Sequence, residues 1–418
     1  MVASTLDPSV YTAKVNQLVS DEGLRNTALG ILTFLGLIVA ALAQPIWGTL
    51  SDRSTSRWGR RKPFLVGGTL AILVLLTLIA FVDELWLLGG VILLLQVSAN
   101  AVQGAYQGLI PDHVPPEQHG IAAGIKSLLE APAVVLGPLV AGLFLGASQW
   151  PMTRRVLAAV IVLQSLYILV TWMTLQYVQD PPRAPRLPRS PQVPTARLVW
   201  KTVHDTFRID WRANGDLRWW LVNRFCFWFA LLILRSFLIN YVEQVIGLSP
   251  DTAQRTTGLL TAVLGILGFV ILLPSGYIAD RLGRRSMVMA SGLVAAVGAF
   301  TLLAARSLPL MFGAGIFIGL GGGLFLTSSW ALATELVPQE QAAHYLGLTN
   351  LATAGGSAAA RLTGPLIDGL NRWSGSTTLG YVGVYALSGL LFLISSAAIR
   401  RVTPDAVRNP IAQQQRQI

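Results

Sequence analysis

A charged turn written twice, each time between two long apolar runs, constrains this chain more than any other feature. The first copy runs from Gly48 to Phe64 (GTLSDRSTSRWGRRKPF) and the second from Gly276 to Met287 (GYIADRLGRRSM). In both, Asp-Arg stands four residues after the leading glycine (Asp52-Arg53, Asp280-Arg281), and Gly-Arg-Arg follows (Gly59-Arg60-Arg61, Gly283-Arg284-Arg285). Two further landmarks repeat at nearly the same distance. Asp52 and Asp280 are 228 residues apart, DHVPPEQ at Asp112 and ELVPQEQ at Glu335 are 223 apart, and Gly137-Pro138 and Gly364-Pro365 are 227 apart. A near-constant offset implies two homologous halves. Equivalent turns fall on the same side of the apolar runs, so the halves are parallel repeats.

Composition identifies the solvent of those halves. Hydrophobic residues make up 53% of the chain and charged residues only 12%, with a mean hydropathy of +0.57. That is too little charge for a water-facing surface of this size, so the surface faces lipid. The net charge of +11 would suit a nucleic-acid partner, but the basic residues gather in turns on alternate sides of successive apolar runs. That pattern is membrane topology and excludes nucleic acid as the explanation. Cys226 stands alone, so no intrachain disulfide or thiolate metal site is expected. No nucleotide-binding loop, metal cluster or catalytic triad is written in the chain; an enzyme is not expected, and neither is a cofactor.

Apolar stretches long enough to cross a hydrocarbon core of about 30 Å fall at 27–50, 63–83, 85–110, 120–145, 156–178, 218–242, 257–279, 286–305, 308–334, 343–370 and 379–399. Eleven spans are therefore expected, all helical, because helices satisfy their own backbone groups in lipid. Setting the loop at 51–62 inside the cell puts most Lys and Arg on the inner side, which leaves the C-terminus cytoplasmic. The expected organisation is an extracytoplasmic segment 1–26, a five-span bundle 27–178, a connector 179–217, a six-span bundle 218–399 and a tail 400–418. The Pro- and Arg-rich stretch 180–196 cannot continue a helix, which fits a connector. Only one span precedes the first charged turn, whereas two separate the connector from the second. Residues 1–26 carry Asp7, Pro8, Lys14, Asp21, Glu22 and Arg25 and are too polar to supply the other. The first helix of a twelve-span plan is expected to be missing.

With these motifs the chain resembles the major facilitator superfamily, whose loop between the second and third helices carries Gly-x-x-x-Asp-Arg-x-Gly-Arg-Arg. The Arg-Arg-Lys-Pro-Phe ending of the first copy is similar to sucrose transporters and the glycoside–pentoside–hexuronide symporters. The resemblance implies an all-α polytopic fold of two parallel six-helix repeats, here with eleven spans. It implies a monomeric secondary transporter in the cell membrane, working by rocking of two bundles, with a small polar solute, a sugar first, moved in symport with protons. Export of a metabolite or drug, or carriage of an organic anion, is the alternative. A non-transporting sensor or an inactive fragment is the alternative of another class. The Asp residues that bind sodium on the second and fourth helices of melibiose-type carriers have no counterpart here, which disfavours sodium.

Several polar groups inside the apolar runs need a purpose. Gln96, Asn100, Gln103 and Gln107 share one helical face and suit a hydroxyl-rich ligand; interhelical bonding is the other use of such a stripe. Arg224, Trp228 and Arg235 lie near one face of span 218–242, with snorkelling as the alternative for the cations. Asn350, Thr353, Ser357, Arg361 and Asp368 make a stripe on span 343–370, from which Ser357 and Arg361 join Arg235 and the four amides as candidate substrate contacts. Lys126 and Glu130 stand one turn apart, and Glu130 is the acid set well inside a span, so this pair is the candidate for proton coupling or else a static ion pair. Gly48, Asp52, Arg53, Gly59, Arg60, Arg61, Gly276, Asp280, Arg281 and Arg284 are candidates for a cytoplasmic gate, with simple positive-inside anchoring as the alternative. Gly315, Gly319 and Gly323 predict close helix packing.

Overall fold

The computed structural model describes residues 7–54, 61–107, 135–147, 149–178, 215–336 and 342–403, with Ser56, Trp58, Gly59, Leu109 and Val114 between them. Regular secondary structure among the described residues is helical throughout. A π-helical turn at Asp7–Tyr11 leads into α1 (Thr12–Leu18), followed by α2 (Arg25–Arg53), α3 (Lys62–Phe81) and α4 (Leu85–Gln107). After the short α5 (Val135–Leu145) come α6 (Met152–Tyr177), α7 (Gly215–Ser236), α8 (Leu238–Gln244) and α9 (Pro250–Leu282). The chain continues as α10 (Arg284–Ala304), α11 (Leu308–Leu336), α12 (Ala342–Arg361), α13 (Gly364–Ser374) and α14 (Leu379–Ile399).

Lipid as solvent explains how these helices present themselves. On α3, Leu70, Val74, Leu78 and Phe81 form an outward stripe, each at least 44% exposed, while Ile72, Leu76 and Ile79 on the other face are sealed. Both faces are apolar. In water the outer stripe would be a liability; in hydrocarbon it costs nothing, and packing, not polarity, chooses the inner face.

Eight helices among the described residues are long and apolar enough to cross a membrane: Glu22–Gln44, Lys62–Phe81, Leu85–Tyr106, Met152–Tyr177, Gly215–Ser236, Arg284–Ala304, Leu308–Ala333 and Leu379–Ile399. The expected count of eleven is not reached among them. Span 120–145 lies mostly outside the described residues, and 257–279 falls within α9. The expected span 343–370 is divided: α12 ends at Arg361 and α13 starts at Gly364. Pro365 carries no N–H and disfavours helical backbone in the residue before it, which breaks the helix at this point.

The chain falls into two compact units. The first holds residues through Pro188 together with Phe237–Ala262 and Gly364–Thr377; the second holds Arg189–Ser236, Val263–Thr363 and Thr378–Ile418. In the first unit α4 packs against α2 and α3, α3 against α6, and α13 lies along α2. In the second, α10 packs against α11 and α14, and α7 against α12 and α14. Its interior centres on Phe227, stacked on Phe325 at 3.7 Å and edge-on to Phe392 at 5.0 Å. The glycine stripe of α11 packs as expected at two positions. A Cβ on Gly319 would stand 3.4 Å from the Leu264 carbonyl oxygen, and one on Gly323 would stand 3.0 Å from that of Gly268, so α9 and α11 approach backbone to backbone.

Candidate functional site

The two charged turns share a backbone requirement. Gly59 has φ 101° and Gly283 has φ 88°, values that side-chain-bearing residues rarely adopt. Both glycines precede the Arg-Arg pair, so the duplicated motif encodes the same break in each half. Gly283→Ala is expected to cost about 1–3 kcal/mol through strain at this φ, measured as a lower midpoint of thermal unfolding in detergent.

Around these turns the arginines act on helix ends. Arg61 is buried and donates from Nη1 to Ser51 Oγ at 3.1 Å. Arg284 donates to the Ala331 carbonyl at 3.2 Å, and Arg285 to the carbonyls of Ile399 and Arg400 at 3.1 and 2.7 Å. Cations at carbonyl-rich helix C-termini offset the dipole and occupy orphan acceptors. Arg285, part of the repeated motif but not among the gate candidates, therefore caps α14. Arg281 is exposed, with its guanidinium 4.4 Å from the ring centre of Tyr277. Gly48, Asp52 and Arg53 lie in the last turns of α2, and Gly276 and Asp280 in those of α9; the side chains of Asp52, Arg53 and Asp280, like all of Arg60, are outside the described set. Lys126 and Glu130 also lie outside the described residues.

In the first unit, α4 carries the amide stripe. Gln96 and Gln103 are half-buried, and Asn100 is buried, its Nδ2 donating to the Gln96 carbonyl at 2.8 Å. Gln96 lies against α2, where a Cβ on Gly36 would stand 3.5 Å from its Nε2. Gln107 ends the helix, with its side chain outside the described set.

In the second unit the candidates meet around an arginine for which snorkelling is the competing expectation. Arg224, 3% exposed, donates from Nε to Thr353 Oγ1 at 2.9 Å and from Nη1 to Ser329 Oγ at 3.4 Å. Its guanidinium carbon lies 4.8 Å from the Trp330 ring centre and 5.5 Å from that of Trp220. Hydroxyls and π-faces thus surround this cation; among the described residues no carboxylate is in contact with it. On α12 the Ser357 hydroxyl donates to the Thr353 carbonyl at 2.8 Å, and Arg361 donates to the Ser357 carbonyl at 3.0 Å. Arg361 closes α12 and is not deep within a continuous span, a correction that follows from the break before Pro365. Arg235 is half-buried in the last turn of α7.

Asp368 departs furthest from expectation. The periodicity of 343–370 aligns it with Arg361, yet it sits on α13 and belongs to the first unit, at the start of α2. Its Oδ1 accepts from Asn26 Nδ2, and its Oδ2 accepts from the Thr27 amide and hydroxyl, each at 2.7 Å. The Thr27 amide is among the first N–H groups of α2, which have no partner within the helix and favour an anion. From there an amide chain continues. Asn240 on α8 donates to Asn26 Oδ1 at 2.8 Å, and Asn16 on α1 donates to Asn240 Oδ1 at 2.9 Å. At the outer edge of this cluster lie the half-buried Arg25 with the exposed Glu22, and the exposed pair Arg372–Asp21. Sequence patterns do not reach this cluster, because its members are three asparagines, a threonine and an aspartate scattered over four elements. The one local signal is the polar Asn26-Thr27 at the head of an apolar run.

Comparison with known proteins extends these observations. The profile described as Major Facilitator Superfamily matches residues 4–361 and 251–417. A multi-drug resistance efflux pump, PmrA of Streptococcus pneumoniae, is 25% identical over 74% of this chain and 71% of its own. The minor myo-inositol transporter IolF of Bacillus subtilis is 30% identical over 33% of this chain and 31% of its own. Among solved structures, a D-xylose-proton symporter superposes with a TM-score of 0.68 at 15% identity, covering 97% of this chain and 96% of that one, a likeness of fold.

Proposed function

The chain belongs to the major facilitator superfamily, and on that premise we propose that this multi-pass membrane transporter moves a small polar solute, a sugar or polyol, by alternating access in symport with protons. The observation that carries the reading is the amide stripe of Gln96, Asn100 and Gln103 on α4. Amides within a span-length helix offer donors and acceptors in equal measure, which is what a ring of hydroxyls needs. The names of IolF and the D-xylose-proton symporter lend support from relatives and neighbours of this fold. Within the superfamily the Arg-Arg-Lys-Pro-Phe ending favours the sucrose-transporter and glycoside–pentoside–hexuronide group. The cell membrane, with the C-terminus in the cytoplasm, is the proposed setting.

A second reading, carriage of an organic anion, is favoured by Arg224, a buried cation met among the described residues by hydroxyls and indole rings and by no acid. A proteoliposome panel of sugars, polyols and organic anions separates the two. Accumulation of a neutral sugar or polyol that collapses when the pH gradient is dissipated supports sugar–proton symport. Accumulation of anions alone supports the second reading, and no uptake of either class under any gradient overturns both.

A further inference from the structure

The amide chain that ends at Asp368 begins beside a carboxyl group. Asn16 Nδ2, which donates to Asn240, also lies 3.5 Å from Glu243 Oε2 on α8. All three amides point the same way: Asn16 donates to Asn240, Asn240 to Asn26, and Asn26 to Asp368. Chains polarised in one direction strengthen along their length, so an event at one end is felt at the other. At the Glu243 end one polar atom is left over. Asn16 Oδ1 is fully buried, with no hydrogen-bond partner among the described residues. A buried acceptor left unmade costs free energy, and an ionised carboxylate beside it can only accept. A protonated carboxyl carries the O–H donor that such an acceptor lacks.

We propose that Glu243 is the coupling-proton site of this transporter, and that its protonation completes the amide chain and holds α1, α2, α8 and α13 together at Asp368. The proposal rests on the symport reading for the word coupling and on the geometry of the first unit for everything else.

Electrostatics agree in sign. Burial holds the Glu243 carboxyl up at about 7 from its ordinary 4.5, with Arg25 opposing the rise and Glu22 adding to it. Other charged groups on the packed elements include Lys14 on α1, whose own pKa is lowered by burial against the field of Asp83, Asp368 itself, and Arg372 on α13, which is paired with Asp21. A carboxyl whose pKa is raised in the packed arrangement favours that arrangement when protonated. The contact is therefore strongest below pH 4.5, weakens as pH rises towards 7, and has lost the whole contribution above that. Across that window each step of one pH unit changes the equilibrium between packed and open arrangements about tenfold.

Hydrogen–deuterium exchange of the full chain in lipid nanodiscs, corrected for intrinsic rates, reads this without any solute. Protection of peptides spanning residues 16–30 and 364–374 is expected to fall at least tenfold between pH 5 and pH 8. In Glu243→Gln, which stays neutral, the step should vanish with protection retained at both pH values. In Asn16→Ala, which cuts the chain, protection should be low and independent of pH. Wild-type protection that does not change with pH, or a step that survives in either variant, overturns the proposal. An intact step with no proton-driven accumulation in the solute panel would instead sink the symport reading alone.

Discussion

Asp368→Ala is expected to destabilise the first unit by about 3–5 kcal/mol, the largest loss expected from a single polar side chain among the described residues. The carboxylate accepts from Asn26 Nδ2, Thr27 N and Thr27 Oγ1. Each donor left buried without a partner costs about 1–3 kcal/mol, and partial access to water trims the sum. Asp368 is only 3% exposed, so water cannot replace it without opening the contact. Asp368→Asn should cost roughly half as much, since an amide oxygen still serves Thr27 while the favourable charge at the head of α2 is lost. Apparent midpoints of thermal unfolding in detergent check this. Midpoints of both variants equal to that of the wild type would show that the carboxylate does not hold the cluster together.

Gly356→Leu is expected to abolish transport, with at least a hundredfold loss of rate, whereas Gly355→Ala next to it should be nearly silent. A Cβ on Gly356 would stand 2.6 Å from the Phe225 carbonyl oxygen and 3.0 Å from the Phe229 nitrogen, both main-chain atoms of α7 that cannot step aside. Accommodating it means pushing α12 off α7, at a cost of about 1–3 kcal/mol or more. That movement also draws Thr353, one turn before Gly356, away from the Arg224 Nε that it accepts from at 2.9 Å. On Gly355 the same Cβ meets only ring carbons of Phe225 at 3.4–3.5 Å, an ordinary contact that a side chain relaxes. Uptake by the two variants in proteoliposomes, with the solute that the panel identifies, checks the contrast. Equal activity of both would mean that the α7–α12 contact does not support function.

Chemistry that depends on near neighbours in the chain is legible in the sequence. Hydropathy places eight span-length helices close to where the structure has them, because in hydrocarbon a backbone must satisfy its own hydrogen bonds over a fixed length. The duplicated Gly-Arg-Arg likewise announces a shared turn, since φ values near 90° at Gly59 and Gly283 are a local demand met by one residue type. The small-residue stripe on α11 is readable for the same reason: spacing alone puts Gly319 and Gly323 on one face.

What a polar side chain meets across helices is not local, and the tertiary structure decided it. A helical wheel aligns Asp368 with Arg361, but two residues of broken helix before Pro365 are enough to send Asp368 to the head of α2. Arg224 had two outcomes of similar cost, the interface or the interior, and only the packing of α7 against α11 and α12 brought Ser329 and Thr353 within reach. The Asn16–Asn240–Asn26 chain has no sequence signature at all, because an amide serves as readily in a turn, a cap or a core. By itself the sequence determined the solvent, eight span-length helices and the superfamily resemblance, which follow from runs of apolar residues and from short motifs with a local backbone demand. The tertiary structure decided which buried groups are partners, because that depends on distances between residues hundreds of positions apart, set by helix packing that no local pattern encodes.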